Sequence, residues 1–226
     1  MFESREQAAD LIALRLSQYR GRSPLVLGIP RGGVVMARVI ARELEGETDV
    51  ALVHKLRAPL QPELAIGAVD EAGHLTLEPF AADAGANERY IQVERDLQLA
   101  VLRARRTSYT PERTAVDPHG RIVIVVDDGV ATGATMAAAL LAVREKLPAR
   151  LIAAAGVVAW EAFDRLIRIA DQVVALEIPR EMDAVSMWFR SFPQVDDAEV
   201  VALLRAADLD RGDSPDSDRH PPPGRA

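Results

Sequence analysis

The chain contains no cysteine, which excludes disulfides and thiolate metal sites. Its histidines, His54, His74, His119 and His220, show no metal-ligand spacing. No apolar run reaches the ~18 residues that a membrane span needs, and the opening residues MFESREQAAD are too charged for a secretory signal. These absences set the expectation of a cytoplasmic protein without a membrane partner. A basic excess is missing too. The formal net charge of −7 argues against a general nucleic-acid binder, so an anionic ligand must be met by a few locally placed cations or by a metal ion. There is no Walker GxxxxGK[ST], no Rossmann GxGxxG, no GxSxG elbow and no repeat of 20 to 50 residues.

What is present is an alternation of strand and helix in 226 residues, enough for one domain or a domain with a small appendage. Ser4 and Gln7 form a capping box for a helix reaching about Tyr19. The pattern then predicts strand 24–29, helix 33–44, strand 49–54, an antiparallel pair near 64–69 and 74–77, and a long helix over 87–108. After an apolar strand at 122–126 come helix 134–146, strand 150–158, helix 160–169, strand 172–177 and helix 197–206. Such alternation implies an α/β fold, a mostly parallel open sheet with helices on both faces. From Asp208 the chain is Asp-, Ser- and Pro-rich and is expected to be a disordered tail, 208–226.

The richest stretch is RIVIVVDDGVATGAT, Arg121 to Thr135. Ile122 to Val126 reads as a strand buried on both faces, and it runs into Asp127 and Asp128. Ala131, Thr132, Gly133, Ala134 and Thr135 have small or hydroxyl side chains. Their amides, with those of the following helix's first turn, can close around a phosphate. Two carboxylates at the carboxyl end of a strand can accept hydrogen bonds from sugar hydroxyls. Phosphate on one side and diol on the other describe a ribose 5-phosphate. Asp128, as a solvent-facing carboxylate at a strand end, is expected to carry little of the core.

Three further segments add to this. Pro30-Arg31-Gly32-Gly33 follows a buried strand, and its paired glycines permit backbone angles closed to other residues, so two amides and a guanidinium can meet one anion. Lys55 follows the 49–54 strand and puts a cation at the same edge. In a chain with only 4% aromatic residues, Trp188, Phe189 and Phe192 cluster beside Pro179 and Pro193; they suit either base stacking or core packing. Arg103, Arg105, Arg106 and Tyr109 make the 87–118 region basic, suited to anion contact or to a solvated helix face.

The Asp127–Thr135 segment resembles the 5-phosphoribosyl-1-diphosphate (PRPP) motif of the type I phosphoribosyltransferases. Lys55 with Pro62-Glu63-Leu64-Ala65-Ile66-Gly67-Ala68 resembles a bacterial group of phosphoribosyltransferases of unassigned substrate. The resemblance implies transfer of a phosphoribosyl group from PRPP to a small nitrogenous base with release of pyrophosphate, or the reverse, with Mg²⁺ as cofactor. It assigns the ribose hydroxyls, and Mg²⁺ indirectly through PRPP and water, to Asp127 and Asp128. The 5-phosphate falls to Ala131–Thr135, and pyrophosphate to Arg31, Gly32, Gly33 and Lys55, with a non-proline cis peptide common in the loop. It also implies a domain over 1–207 with a small hood from about 1–20 and 178–207, and a mobile loop before Arg121. Ala131 stands where hypoxanthine/guanine-type enzymes have an additional Asp, which disfavours a 6-oxopurine. Many superfamily members dimerise, so a homodimer is one expectation. A sensor of PRPP or nucleotides that kept the fold without turnover is the alternative to an enzyme.

Overall fold

The β-branched runs of the chain form the central strands of a five-stranded parallel sheet, shown by a computed structural model that describes residues 1–111 and 113–212. In chain order the elements are α1 (Arg5–Arg15), β1 (Leu25–Gly28), α2 (Gly32–Leu44), β2 (Glu47–Val50), β3 (Val53–Arg57), β4 (Ala65–Asp70), β5 (Leu75–Leu77), α3 (Glu88–Tyr109), β6 (Ile122–Val130), α4 (Ala134–Arg144), β7 (Arg150–Val158), α5 (Trp160–Leu166), β8 (Gln172–Glu177) and α6 (Asp197–Gly212). The parallel sheet has the order β2-β1-β6-β7-β8, with Gly28 of β1 level with Val50 on one side and Val126 on the other. Alternate residues of the central strands feed two cores. Val123 and Val125 pack with Met136 and Leu140 of α4, while Ile124 and Val126 pack with Ile12 of α1 and Met36 and Ile40 of α2. Burying a strand on both faces requires such near-continuous apolar runs.

The strand expected over 49–54 is two strands in two sheets. β2 ends at Val50, Ala51 donates its amide to the Gly28 carbonyl, and β3 then starts a separate antiparallel sheet, β3-β4-β5. One run of weak alternation therefore spans a corner. The small sheet closes a third core with α3 and α6, built on Leu56, Ile66, Leu102 and Leu204. The last helix passes Asp208, where the tail was expected to begin, and continues to Gly212; residues 213–226 lie outside the described residues. Asp208 belongs to the folded part, because its carboxylate pairs with Arg113 at 2.9 Å.

Asp49 holds this corner. It is 1% exposed, and its Oδ1 accepts from the Val50 amide and from Arg106 Nη1, both at 2.8 Å. Its Oδ2 accepts from the Val116 amide at 2.9 Å and faces Arg113 Nη1 at 3.1 Å. Arg106 also forks onto Glu71 in the turn between β4 and β5, at 2.7 and 2.8 Å. Burial alone would raise the Asp49 pKa, but Arg106, Arg113 and the Val116 amide outweigh it and hold the carboxyl below its ordinary value. Of the basic residues in this region, Arg106 is consumed in structure and is corrected as an anion contact, while Arg105 lines a cleft and Arg103 is exposed. Tyr109 is buried as well, donating to Asp197 Oδ1 at 2.6 Å, and burial together with that bond pushes its phenol up to about 12.

We predict that Asp49→Asn destabilises the fold by about 1–3 kcal/mol at pH 7, because two half-buried guanidinium groups each lose one of their two counter-charges. A depressed carboxyl pKa contributes stability that is present above its unfolded value of about 3.9 and is lost as pH falls through the lower folded value. Denaturant unfolding across pH 2–7 should show the variant and the wild type converging toward the acid end. A gap that does not change with pH would remove the ion pairs as the cause.

Candidate active site

β1 and β6 are neighbours whose following helices depart in opposite directions, α2 toward β2 and α4 toward β7. The crevice at their carboxyl ends is the place where open α/β sheets take ligands. Two turns fill its rim: Pro30 to Gly33 after β1, and Asp127 to Thr135 at the end of β6.

In the first turn the Pro30–Arg31 peptide is cis, and Arg31 is exposed at the N-terminus of α2. Gly32 and Gly33 do not have positive φ, so unusual backbone angles are not the reason for them. They are there because nothing larger fits. A Cβ on Gly33 would lie 2.5 Å from the Val126 carbonyl oxygen, and one on Gly32 would collide with Asp128 Oδ2. Bare backbone lets the first turn lie directly against the acidic pair.

The acidic pair divides into two environments. Asp127 Oδ1 accepts from the Asp128 amide at 2.9 Å, and burial, reinforced by the neighbouring Asp128 charge, raises the Asp127 pKa well above its ordinary value. Asp128 Oδ2 accepts from Arg5 Nε at 2.9 Å, with the two side chains only 15% and 7% exposed. The expectation of a solvent-facing Asp128 is therefore corrected. Arg5 is a residue that sequence reasoning missed. It donates from Nη1 to the Pro193 carbonyl at 2.7 Å, and its guanidinium carbon lies 3.7 Å from the centre of the Phe192 ring. A signal for it existed: Arg5 shares the buried face of α1 with Ala8, Ala9 and Ile12, and a charge on an apolar helix face calls for a partner.

The second turn opens α4. Gly133 has φ of 76° and faces Ala162 of α5, where a Cβ would come within 3.2 Å. The first bond of the α4 ladder runs from the Ala137 amide to the Gly133 carbonyl, so the amides of Ala134 and Thr135 precede it; that of Ala134 donates weakly to Thr132 Oγ1 at 3.5 Å. Ala131 and Thr132 are exposed. A cleft of about 370 Å³ brings Pro30, Lys55, Arg57, Arg105 and Thr135 together. A second cavity of about 270 Å³ joins Lys55 to Thr132, Ala134, Phe80 and the ion pair of Arg165 with Glu78. Lys55 borders both, between the two turns. His54 also lines the first cleft, and burial lowers its pKa.

The aromatic cluster lines neither of the two cavities that Lys55 borders. Phe189 is 5% exposed and packs on Phe2 and Phe192 at ring distances of 5.3 and 5.0 Å, so it is a core residue, and its expected stacking role is corrected. Phe192 offers a face to Arg5 rather than to open space. Trp188 is half-buried, and its carbonyl accepts from the Phe2 amide at 2.7 Å. Val185 sits over Gly129 of β6, in the volume that a Cβ there would fill.

Comparison with known proteins adds to this geometry. The family described as "Phosphoribosyl transferase domain" matches residues 3–162. Two proteins of Mycobacterium tuberculosis, from strains CDC 1551 and H37Rv, are named as phosphoribosyl transferases and are each 38% identical over 215 residues, 93% of this chain. The chain spans about half the length of these curated relatives, 48%. The crystal structure of TT1426 from Thermus thermophilus is 44% identical, with a TM-score of 0.81 over 90% of this chain and 97% of that one.

Substitution of the two neighbouring carboxylates should shift stability in opposite directions. Asp128→Asn leaves the buried Arg5 without its counter-charge, and we predict a loss of ~3 kcal/mol, about 6–12 °C in melting temperature for a chain of this size. Asp127→Asn removes a carboxyl whose raised pKa penalises folding above that pKa, so its melting temperature should exceed the wild type's at pH 7. That excess should shrink as acid protonates Asp127 in the wild type. Thermal melts of both variants at pH 5 and pH 8 check this; equal losses for the two would contradict it.

Proposed function

The chain belongs to the phosphoribosyl transferase family, and from that premise we propose that it transfers the 5-phosphoribosyl group of PRPP to a ring nitrogen of a small base, releasing pyrophosphate, or catalyses the reverse. The observation that carries this reading is the meeting of the Gly32 turn, the acidic pair and the Thr132–Thr135 turn at one sheet crevice. The amides of Ala131 to Thr135 would bind the 5-phosphate, and Asp127 and Asp128 would accept hydrogen bonds from the ribose diol. Arg31, Gly32, Gly33 and Lys55 would hold the diphosphate, with Arg57 and Arg105 adding positive charge to the cleft wall. Breaking the bond from C1 to the diphosphate leaves positive character on the sugar and negative charge on the leaving group. Fixed cations and amides aimed at that charge lower the barrier.

Mg²⁺ suits this donor set. Among the described residues no cluster of three or more His, Asp or Glu could cage a metal, and Mg²⁺ keeps most of its waters and uses one or two carboxylates with substrate oxygens. When bound, it would supply charge compensation for the diphosphate. The acceptor base would enter from the side of Trp188 and Val185, and Ala131 speaks against a 6-oxopurine. A second reading, a PRPP or nucleotide sensor without turnover, is favoured by one observation: Arg5 already engages an oxygen of Asp128.

Pyrophosphate release from PRPP and Mg²⁺ across purine, pyrimidine and pyridine bases tests the proposal. Turnover on one class supports transfer; saturable PRPP binding with no release on any base selects the sensor. Given turnover, Lys55→Ala is expected to lower kcat by about 10²-fold. The raised pKa of Asp127 adds a pH signature, since the ionised form accepts from the diol. KM for PRPP should rise on acidification, beginning above the ordinary carboxylate value near 4. A KM that stays flat until the ordinary carboxylate range is reached would exclude Asp127 from that role.

A further inference from the structure

The turn given the 5-phosphate has amides but no cation. From Asp127 to Thr135 the sequence holds neither lysine nor arginine, and both of its charged residues are acids. A phosphate dianion brought there by a chain of net charge −7 needs positive charge from another element. The helix α5 lies against this turn: a Cβ at Gly133 would come within 3.2 Å of the Ala162 Cβ and 3.4 Å of its Cα. Arg165, three residues after Ala162, shares that face of the helix. It lines the cavity of about 270 Å³ that also takes in Thr132 and Ala134 of the turn. The other cation on that wall is Lys55, and the acids are Glu63 and Glu78.

We propose that Arg165 is the cation of the 5-phosphate site, held beside the turn by Glu78 and donating to the phosphoryl oxygens when PRPP binds. This rests on the PRPP reading given above. Two features of the ion pair suit a residue kept for a ligand rather than for the fold. The side chains of Arg165 and Glu78 are 40% and 26% exposed, a range in which an ion pair adds little stability. Among the described residues Glu78 engages only Nη2 of Arg165, so Nε and Nη1 keep donors for a second anion. A planar fork can give one nitrogen to a carboxylate and the others to phosphoryl oxygens in fixed directions. Glu78 is anchored just after β5, where its amide donates to the Ile66 carbonyl at 2.9 Å, so the pair joins α5 to the small sheet across the cavity. Its carboxylate therefore directs Arg165 and at the same time repels an incoming phosphate. Arg57 and Arg105 line the cleft given to the diphosphate, and Arg165 does not.

Calorimetric titration with PRPP and with inorganic pyrophosphate, each with Mg²⁺, separates the two ends of the ligand. Arg165→Ala should weaken PRPP binding by about 10–100-fold, the usual worth of a hydrogen bond between charged groups, and leave pyrophosphate affinity unchanged. Glu78→Gln keeps an acceptor of the same shape for Arg165 and removes the repelling charge, so it should tighten PRPP binding. Arg168→Ala deletes the same charge from an exposed side chain paired with Asp164 and should change neither affinity. Melting temperatures of the three variants should stay within about 3 °C of the wild type. Four results would overturn the role of Arg165, because each is what a structural strut or bulk charge produces: PRPP affinity unchanged in Arg165→Ala, PRPP and pyrophosphate weakened equally, Arg168→Ala as harmful as Arg165→Ala, or Glu78→Gln binding PRPP no tighter than the wild type. A wild type that does not bind PRPP at all would overturn the PRPP reading itself, and Arg165 with it.

Discussion

The site depends on the closeness of two backbones. The turn after β1 touches the carboxylate at the end of β6 because Gly32 has no side chain, and Arg5 closes on that carboxylate from the other side. Three segments far apart in sequence are joined at this contact: the first turn of α1, the turn into α2 and the end of β6. A fourth, the loop through Phe192 and Pro193, is held by the remaining edge and face of the same guanidinium. A planar fork with donors along its edges and a stackable face can satisfy all of these at once, and lysine could not.

Much of the fold was legible in the sequence because the parallel strands are buried on both faces. Runs such as Ile122 to Val126 and Leu151 to Val158 have no other stable environment in an α/β protein. The position of the acidic pair and the Thr132–Thr135 turn was legible for a related reason, since the apolar run of β6 ends at the carboxylates and the small residues after them open α4. Less legible was whatever depends on partners distant in sequence. Glycines at 32 and 33 signal a constraint, but only the register of β1 against β6 shows that the constraint is contact rather than backbone angle. Phe189, Arg106 and Tyr109 each carry a side chain suited to ligand contact, and burial turned each to structural use.

The corner between β2 and β3 was misread because alternation reports exposure and not sheet membership. Asp49 to His54 alternates weakly in both sheets, and no residue between them is a turn former. What marks the corner is electrostatic, a nearly inaccessible carboxylate with two guanidinium groups on it, and a sequence shows the charges without their distances.

That carboxylate lies where the chain departs from the large sheet and also takes the amide of Val116, shortly before the chain re-enters at β6. Departure and return are thus stitched to one side chain, so the intervening stretch behaves as a cassette with a shared clasp. Exchanging it among homologues should succeed when Asp49, Arg106 and Arg113 travel together and fail when the splice separates them. Loop length and the residues that line the clefts inside the cassette can then diversify without disturbing the parallel scaffold beneath.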